Sequence, residues 1–277
     1  MQAPMPIEVR SLAEWEADCV PGMLSVVIPA HNEEGRIAGT VREIHQALRA
    51  AAIPHEILVV NDNSTDGTQA VLETLGREVA ELRVVINSPP NGFGYAVRAG
   101  LTAFRGDAVA IVMADGSDSP ADLVTYHTKL QEGCDCVFGS RFMRGAVIVD
   151  YPWFKLVFNR CANKFISVLF WMRYNDVTNA FKLYRRPVIA GLQPLLAYHF
   201  NLTVELPLKA IVRGYTYAVV PTAWHNRTSG VSKFKIKEMG SRYLFIVLYC
   251  YLEKYLSRED YRKRSDLRDT QLQVWSR

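Results

Sequence analysis

The sequence predicts an α/β fold in which helices cover a mainly parallel, Rossmann-like β-sheet. Short apolar runs of strand length alternate, along the first half, with longer segments whose apolar residues recur every three or four positions. The 277 residues are 49% hydrophobic and 22% charged, which is typical of a folded globular protein and excludes a largely disordered one. At this length we expect one large domain with short appendages.

The first two β-α units open the alternation. Leu24–Ile28 is a short buried-strand pattern, and Ile57–Val60 is a second one. Each strand is followed by apolar residues at helical spacing, which are Ile37, Val41, Ile44 and Leu48 after the first strand and Val71, Leu75, Val79 and Leu82 after the second. Repeated units of this kind predict parallel strands joined by helices.

The next two strands are predicted at Val84–Ile86 and Val109–Met113, with a helix that begins near Gly94 between them. Gly92 and Gly94 start like a dinucleotide-binding fingerprint, but Val97 stands where its third glycine is required. A phosphate-binding loop that ends in Gly-Lys-Ser or Gly-Lys-Thr is absent from the sequence, which argues against ATPases and kinases of that type.

Two amphipathic segments mark the second half, at Trp153–Met172 and Met239–Leu256, and each mixes aromatic with basic side chains. Such segments either pack on the sheet or lie in a membrane interface, and both alternatives stay open at this point. The longest apolar stretch, Leu244–Leu252, has nine residues, whereas a helix that spans a membrane needs roughly 20. We therefore expect no membrane-crossing helix.

The chain is expected to divide into an N-terminal arm at residues 1–22, a globular domain at 23–238, and an amphipathic helix with a charged tail at 239–277. The arm has neither the basic start nor the apolar run of a signal peptide. The five cysteines are odd in number and lack the paired spacings of a disulfide scaffold or a zinc site. We therefore expect a cytoplasmic protein in a reducing compartment.

Basic residues are concentrated in two stretches of the chain. Between residues 141 and 186, nine Lys and Arg face only Asp150 and Asp176, and a second cluster runs from Arg227 to Arg242. The net charge of the whole chain is only +4, which is too small to make nucleic acid the expected partner. The clusters suit phosphates of a substrate or of an anionic membrane, although an ordinary solvated surface is the alternative.

Polar residues gather where the predicted strands end. Asp62 and Asp115 stand directly at strand ends, where a parallel α/β sheet opens its ligand crevice, so we expect both to bind a ligand. Asn32, Ser64 and Asp66 are placed to cap the helices that follow.

Five motifs occur in an order that resembles a known family. They are Val27–Glu33 (VIPAHNE), Val59–Thr68 (VVNDNSTDGT), Ala114-Asp115, Gly139-Ser140-Arg141 and Arg227–Lys233 (RTSGVSK). Over roughly residues 23–243 the chain resembles the inverting family-two glycosyltransferases of GT-A fold, within them most of all the dolichol-phosphate mannose synthases and the bacterial polyprenyl-phosphate glycosyltransferases. The resemblance implies a GT-A domain at 23–238. It also implies sugar transfer from a nucleotide sugar to a polyprenyl phosphate, by a protein peripherally associated with the cytoplasmic face of a membrane.

The resemblance further implies which residues bind the donor. They are Pro29, Ala30, His31, Glu33, Asp62, Met113, Ala114, Asp115, Arg227 and Lys233. Within this set Asp115, Arg227 and Lys233 are expected to be catalytic. Asp115 would hold Mg²⁺ or Mn²⁺ on the donor diphosphate, and the two cations would stabilise the charge that builds on the leaving nucleoside diphosphate.

The metal motif departs from the family's pattern at one position. Met113 stands where the family has the first of two acids, and a thioether does not bind a hard cation such as Mg²⁺. Ser117 is implied as a further metal ligand. Either Asp115 is enough together with the diphosphate, water, Ser117 or Asp118, or metal binding is weak. We expect the first, because Mg²⁺ commonly uses only one or two carboxylates plus substrate phosphates.

Ser140 and Arg141 are implied to bind the acceptor. The cations on this side, which include Arg144, Arg173 and Lys182, outnumber the acids. This balance favours a phosphate acceptor, which needs no general base. Two alternatives stay open: an enzyme that acts on another lipid or a glycan hydroxyl, and a degenerate nucleotide-sugar-binding protein without turnover.

Overall fold

The computed structural model describes residues 17–225, 236–257 and 260–263, and it confirms the predicted α/β architecture. The strands are β1 (Val20–Ala30), β2 (His55–Asn61), β3 (Leu82–Ile86), β4 (Gly106–Ile111), β5 (Cys136–Ser140), β6 (Val147–Val149), β7 (Lys182–Arg185), β8 (Tyr217–Pro221) and β9 (Ala223–His225). Seven of these form one sheet of order β3-β2-β1-β4-β7-β5-β8, and β6 pairs with β9 in a small second sheet.

The seven-stranded sheet is parallel except at β7. This strand pairs antiparallel with both β4 and β5, whereas the other pairings in the sheet are parallel. The carboxyl ends of β1, β2, β4 and β5 therefore share one edge, at Ala30, Asn61, Ile111 and Ser140. The predicted site motifs up to Arg141 follow these strands.

Helices cover both faces of the sheet. They are α1 (Ile37–Ala50), α2 (Thr68–Glu78), α3 (Phe93–Ala103), α4 (Pro120–Gln131), α5 (Trp153–Phe170), α6 (Arg186–Gly191), α7 (Leu202–Val212) and α8 (Ile236–Leu256). Side chains of a strand alternate between its faces, so Val26 of β1 joins a core with α1, α2 and α4, while Val27 joins a core to which α3 and α5 to α8 contribute.

Helix α2 is shorter than its apolar pattern predicts. It ends at Glu78, because Val79 has an extended backbone (φ −118°, ψ 102°) and Leu82 already begins β3. Val79 and Leu82 are both buried in the core. These positions are therefore apolar because they are buried, and not because they belong to a helix. The predicted strand Val109–Met113 likewise ends early, at Ile111, which leaves Met113 in the following loop.

Both amphipathic segments form helices, α5 and α8. Each buries one side in the core, through Ile166 and Phe170 of α5 and through Ile246 and Cys250 of α8. Their outer sides expose large apolar residues. Within the described part of the chain, no helix is long and apolar enough to span a membrane.

Candidate active site

Hydrogen bonds join the loops that follow β1 and β2. Asn32 Oδ1 accepts the Thr65 N–H at 2.8 Å, and the Asn32 N–H donates to Ser64 Oγ at 3.0 Å. Asp66 accepts the Thr68 N–H at 3.0 Å in the first turn of α2. As expected, Asp66 accepts a backbone N–H at the start of helix α2. Asn32 and Ser64 instead connect the two loops and do not cap a helix.

The first group of predicted donor residues lies at the end of β1. Pro29 and Ala30 are buried in the strand, and His31 is exposed just beyond it. His31 Nδ1 donates to the backbone carbonyl oxygen of Asp62 at 2.7 Å. This bond joins the ends of β1 and β2, so His31 and Asp62 are neighbours, as their positions at strand ends predict. The Glu33 N–H donates to a threonine of α2 at 2.9 Å.

Asp62 is buried at the end of β2, and both of its carboxylate oxygens are engaged. Oδ1 accepts from Asn87 Nδ2 and Oδ2 accepts from the Gly92 N–H, both at 2.7 Å. Gly92 precedes α3 with a φ of +145°, a conformation that favours glycine. The carboxylate is thereby fixed at the N-terminal end of α3, where the helix dipole favours negative charge.

The loop after β4 folds back on itself around Asp115. Asp115 Oδ1 accepts the Ser117 N–H at 3.1 Å, and Asp118 Oδ2 accepts the Met113 N–H at 2.9 Å. Asp115 is half-buried, while Ser117 and Asp118 are buried. Three side chains with oxygen donors thus lie within one tight turn at the edge of the sheet.

This loop is anchored on both sides. Thr40 of α1 donates from Oγ1 to the Ala114 carbonyl at 2.9 Å, and Asp118 forms an antiparallel bridge with Trp224. Only 8% of Asp118 is exposed. Burial raises the pKa of the Asp118 carboxyl to about 7, and the neighbouring Asp115 carboxylate contributes to the increase.

The oxygen donors of this loop are the type that Mg²⁺ and Mn²⁺ prefer. In residues 17–225, 236–257 and 260–263, no group of three or more His, Cys, Asp or Glu side chains could hold a metal ion. A cation held by the oxygens of this loop would need further ligands, such as the oxygens of a bound diphosphate, to complete its coordination.

Arg141 follows β5 and is bound to Asp176. Nε and Nη2 donate to the two carboxylate oxygens at 2.8 and 2.7 Å, and the Arg141 N–H adds a third bond at 2.9 Å. Both side chains are buried. Burial lowers the pKa of Arg141, but the Asp176 carboxylate more than offsets this effect and raises the pKa above its usual value. The guanidinium is therefore charged, and its Nη1 has no hydrogen-bond partner in the described part of the chain.

The neighbours of Arg141 differ in what they can reach. Ser140 Oγ donates to Asn175 Oδ1 at 2.5 Å and accepts the Phe142 N–H at 3.1 Å. Lys182 is buried, and its ammonium group donates to the backbone carbonyls of Val177, Asn179 and Thr203. Lys182 is consequently not a cation that an acceptor can reach, which corrects the expectation from sequence. Arg144 and Arg173 are exposed.

Two of the expected catalytic residues, Arg227 and Lys233, lie outside the described residues. Conversely, Asp118 and Asp176 have a larger part in the described site than their sequence positions predict. Asp176 comes 35 positions after its partner Arg141, so no local pattern signals the pair. The sequence feature that could have indicated a role for Asp118 is its position three residues after Asp115.

Sequence comparison identifies the family of the chain. Residues 25–192 match Glycosyl transferase family 2. The chain is 30% identical over 233 residues to a polyprenol monophosphomannose synthase of Mycolicibacterium smegmatis, a match that covers 78% of this chain and 86% of the relative. It is 28% identical over 218 residues to an uncharacterized glycosyltransferase of Mycobacterium bovis, which covers 79% of this chain and 92% of the relative.

Solved structures share the fold. Glucosyl-3-phosphoglycerate synthase from Mycobacterium tuberculosis, in complex with uridine diphosphate, matches with a TM-score of 0.62 at 20% identity, over 92% of this chain and 86% of that chain. The same enzyme in complex with Mn²⁺, UDP-glucose and phosphoglyceric acid matches with a TM-score of 0.63 at 19% identity, over 88% and 84% of the two chains. The protein therefore belongs to glycosyltransferase family 2 and is a glycosyltransferase of GT-A fold, as its motifs predict.

Proposed function

We propose that this glycosyltransferase transfers a sugar, with inversion, from a nucleotide sugar to a polyprenyl phosphate at the cytoplasmic face of a membrane. The observation that carries the proposal is the 30% identity, over most of both chains, to a protein named polyprenol monophosphomannose synthase. The arrangement of Asp62, Asp115 and Arg141 at one edge of the sheet supports it, because this edge offers separate partners for a base, a diphosphate and an acceptor phosphate.

The donor is proposed to lie along the ends of β1, β2 and β4. Within the described part of the chain, each oxygen of the Asp62 carboxylate accepts one hydrogen bond, and a carboxylate offers about four acceptor sites. It can therefore still accept a hydrogen bond from a nucleobase N–H. The other proposed donor contacts are Pro29, Ala30, His31, Glu33, Met113, Ala114, Asp115, Arg227 and Lys233.

Asp115 and Ser117 are proposed to hold Mg²⁺ or Mn²⁺ on the donor diphosphate. A bound divalent cation would stabilise the negative charge that develops on the leaving nucleoside diphosphate. The carboxylate and hydroxyl oxygens fit such a cation, and Asp115 is fixed by the hydrogen bond from the Ser117 N–H.

Arg141 is proposed to bind the acceptor phosphate, with Ser140 beside it. Asp176 orients the guanidinium through two hydrogen bonds and leaves Nη1 to donate to a phosphate oxygen. Because Arg141 occupies both oxygens of this buried carboxylate, Asp176 is poorly suited to act as a general base. A phosphate monoester needs no base, since it is already a charged nucleophile near neutral pH.

Helix α5 supports a lipid acceptor. Its outer surface exposes Trp153 and Phe158, each 76% accessible, beside the exposed Lys155 and Arg160. Aromatic and basic side chains on one helix suit an anionic membrane interface. The helix is also joined to the Arg141 loop, because Thr178 Oγ1 accepts hydrogen bonds from Asn163 Nδ2 of α5 at 2.9 Å and from Arg141 Nη2 at 3.4 Å.

The proposal is tested by incubating the purified protein with a panel of nucleotide sugars, a divalent cation and a polyprenyl phosphate, followed by mass spectrometry of the lipid. The expected product is the lipid phosphate with one added sugar from one of the donors. If every donor in the panel leaves the lipid unmodified, while a glycan or lipid hydroxyl is glycosylated, the acceptor assignment is wrong. Hydrolysis and transfer both absent, with retained donor binding, would indicate the degenerate binding protein.

A further inference from the structure

Lys182 is a buried cation close to the proposed acceptor site. It is the first residue of β7, which runs antiparallel to β4 and β5, so it pairs with Ile111 at the end of β4 and with Phe138 of β5. The topology therefore places Lys182 near the edge of the sheet at which Arg141 follows β5. Only 1% of Lys182 is exposed.

The ammonium group of Lys182 is engaged with backbone carbonyls. Nζ donates to the Val177 carbonyl at 3.0 Å, to the Asn179 carbonyl, and to the Thr203 carbonyl at 3.1 Å. These three bonds use all three N–H donors of an ammonium group. Because Thr203 lies in the first turn of α7, Lys182 fastens the segment around Val177 and Asn179 to a helix as well as to β7.

That segment is the 176–179 turn, and its side chains hold Arg141. The Asn179 N–H closes the turn by donating to the Asp176 carbonyl at 3.1 Å. The Asp176 carboxylate accepts from the Arg141 guanidinium at 2.7 and 2.8 Å, and Thr178 Oγ1 accepts from Arg141 Nη2 at 3.4 Å. A shift of the 176–179 turn would therefore move the guanidinium with it.

We propose that Lys182 is a positioning residue for the acceptor, because it fixes the 176–179 turn and thereby the direction in which Arg141 presents Nη1 to the acceptor phosphate. This inference rests on the proposed function. The two carbonyls that Lys182 binds in the turn lie on either side of Thr178, so the ammonium group restrains the turn at both places. A donor that is already fixed in place binds a charged ligand without the cost of ordering it. The competing explanation is that Lys182 only stabilises the core.

Steady-state kinetics of the full chain test this role, with a nucleotide sugar, Mg²⁺ and a polyprenyl phosphate in detergent micelles. Lys182→Met removes the three N–H donors and keeps an unbranched side chain. The matched control is Arg185→Met at the other end of β7, because Arg185 also donates to backbone carbonyls, those of Cys134 at 2.9 Å and Leu130 at 2.7 Å. These carbonyls belong to the end of α4 and to the segment between α4 and β5, and not to the 176–179 turn.

We expect Lys182→Met to raise the KM for the polyprenyl phosphate by about tenfold or more, since a misplacement of about 1 Å can cost about 100-fold. The KM for the nucleotide sugar should stay close to the wild-type value, and Arg185→Met should change neither KM. An unchanged KM for the polyprenyl phosphate in Lys182→Met would overturn the inference. The same rise in Arg185→Met, or an equal rise in both KM values of Lys182→Met, would also overturn it, because a general loss of stability would then explain the effect.

A second variant covers the case in which Lys182→Met does not fold. Thr178→Val keeps the size of the side chain and the backbone carbonyls of the 176–179 turn, but it removes the hydroxyl that contacts Arg141. Its KM for the polyprenyl phosphate should also rise. A wild-type KM in Thr178→Val would then overturn the inference, because the turn would not orient the guanidinium.

Failure of the proposed function is distinguishable from failure of this inference. If the wild type transfers no sugar to the polyprenyl phosphate from any nucleotide sugar, the proposed function and this inference are both wrong. If the wild type transfers the sugar and Lys182→Met has a wild-type KM for the polyprenyl phosphate, the inference alone is wrong.

Discussion

Asp62 carries two roles at once, since the same carboxylate holds the turn before α3 and is proposed to read the donor base. Asp62→Ala leaves the Gly92 N–H without its acceptor, which should cost about 1–3 kcal/mol of stability. The loss of a charged hydrogen-bond partner should also weaken nucleoside diphosphate binding by about tenfold or more, as measured by calorimetry. Asn87→Ala is the control, because it removes one internal partner and keeps the carboxylate. Wild-type affinity in Asp62→Ala would exclude Asp62 from the donor site.

Arg141 and Asp176 form a buried ion pair. Replacing one of them alone therefore changes the stability of the protein together with the proposed binding of the acceptor. Arg141→Ala leaves the buried Asp176 without its counter-charge and should lower the free energy of unfolding in urea by about 3–5 kcal/mol. Replacing both residues by leucine should recover much of that loss, because neither charge of the pair then remains unpaired. The double variant should nevertheless use a polyprenyl phosphate with a strongly raised KM. A wild-type KM in the double variant would contradict the acceptor role of Arg141.

At the scale of elements, the proposed association with a membrane is assigned to the outer surface of α5. Trp153→Ser with Phe158→Ser should abolish most flotation with anionic liposomes, and salt should weaken the flotation of the wild type. The melting temperature should change little, because both side chains are exposed. The control is Ile86→Ser, which removes an apolar side chain that is 66% exposed at the end of β3. Equal flotation of wild type and double variant would contradict a membrane role for α5.

The segment after α8 binds Asp135, the residue directly before β5, and the carboxylate of Asp135 titrates in acid. Asp135 accepts hydrogen bonds from Lys263 Nζ at 2.8 and 2.9 Å and from the Thr216 N–H at 2.7 Å. Burial alone raises the pKa of Asp135, but these bonds outweigh it and lower the pKa below 3.8. The bonds of Asp135 to Lys263 and Thr216 therefore stabilise the fold above pH 3.8. Their contribution falls as the pH drops through the lowered pKa of Asp135.

Thermal melting of wild type and Asp135→Asn from pH 7 to pH 2 measures this contribution. The wild type should be more stable near neutral pH, and the difference should shrink in strong acid, where both side chains are uncharged. If the two melting temperatures differ by the same amount at every pH, the charge of Asp135 does not contribute to the stability of the fold.

Elements in the first half of the chain could be predicted because each repeats a simple period. The strands β1 to β4 and the helix α1 follow from local apolar spacing. The end of α2 could not, since buried Val79 and Leu82 continue the helical spacing after the helix has stopped. The antiparallel insertion of β7 between β4 and β5 was equally hidden, because strand order depends on long-range packing that a short run such as Lys182–Arg185 does not encode.

At the scale of the whole molecule, the candidate site could be predicted as far as the sheet topology fixes it. Parallel strands bring their ends together, so His31 and Asp62 are found in contact through the Asp62 carbonyl. The partners of the charged residues could not be predicted. Asp176, which neutralises Arg141, lies 35 positions away in the sequence, and one of the carbonyls that bind Lys182, that of Thr203, lies 21 positions away. A count of charges in the sequence does not distinguish a cation that is already bound from one that a ligand can reach.

The most direct test of the central claim compares two acceptors that differ only in their phosphate, a polyprenyl phosphate and the polyprenol of the same length. Each lipid is incubated with the purified protein, the active nucleotide sugar and Mg²⁺ or Mn²⁺. The masses of the lipid products are then measured by mass spectrometry. We predict one added sugar on the polyprenyl phosphate and none on the polyprenol. Equal glycosylation of the polyprenol, or consumption of the donor with release of free sugar alone, would contradict a transferase specific for polyprenyl phosphate.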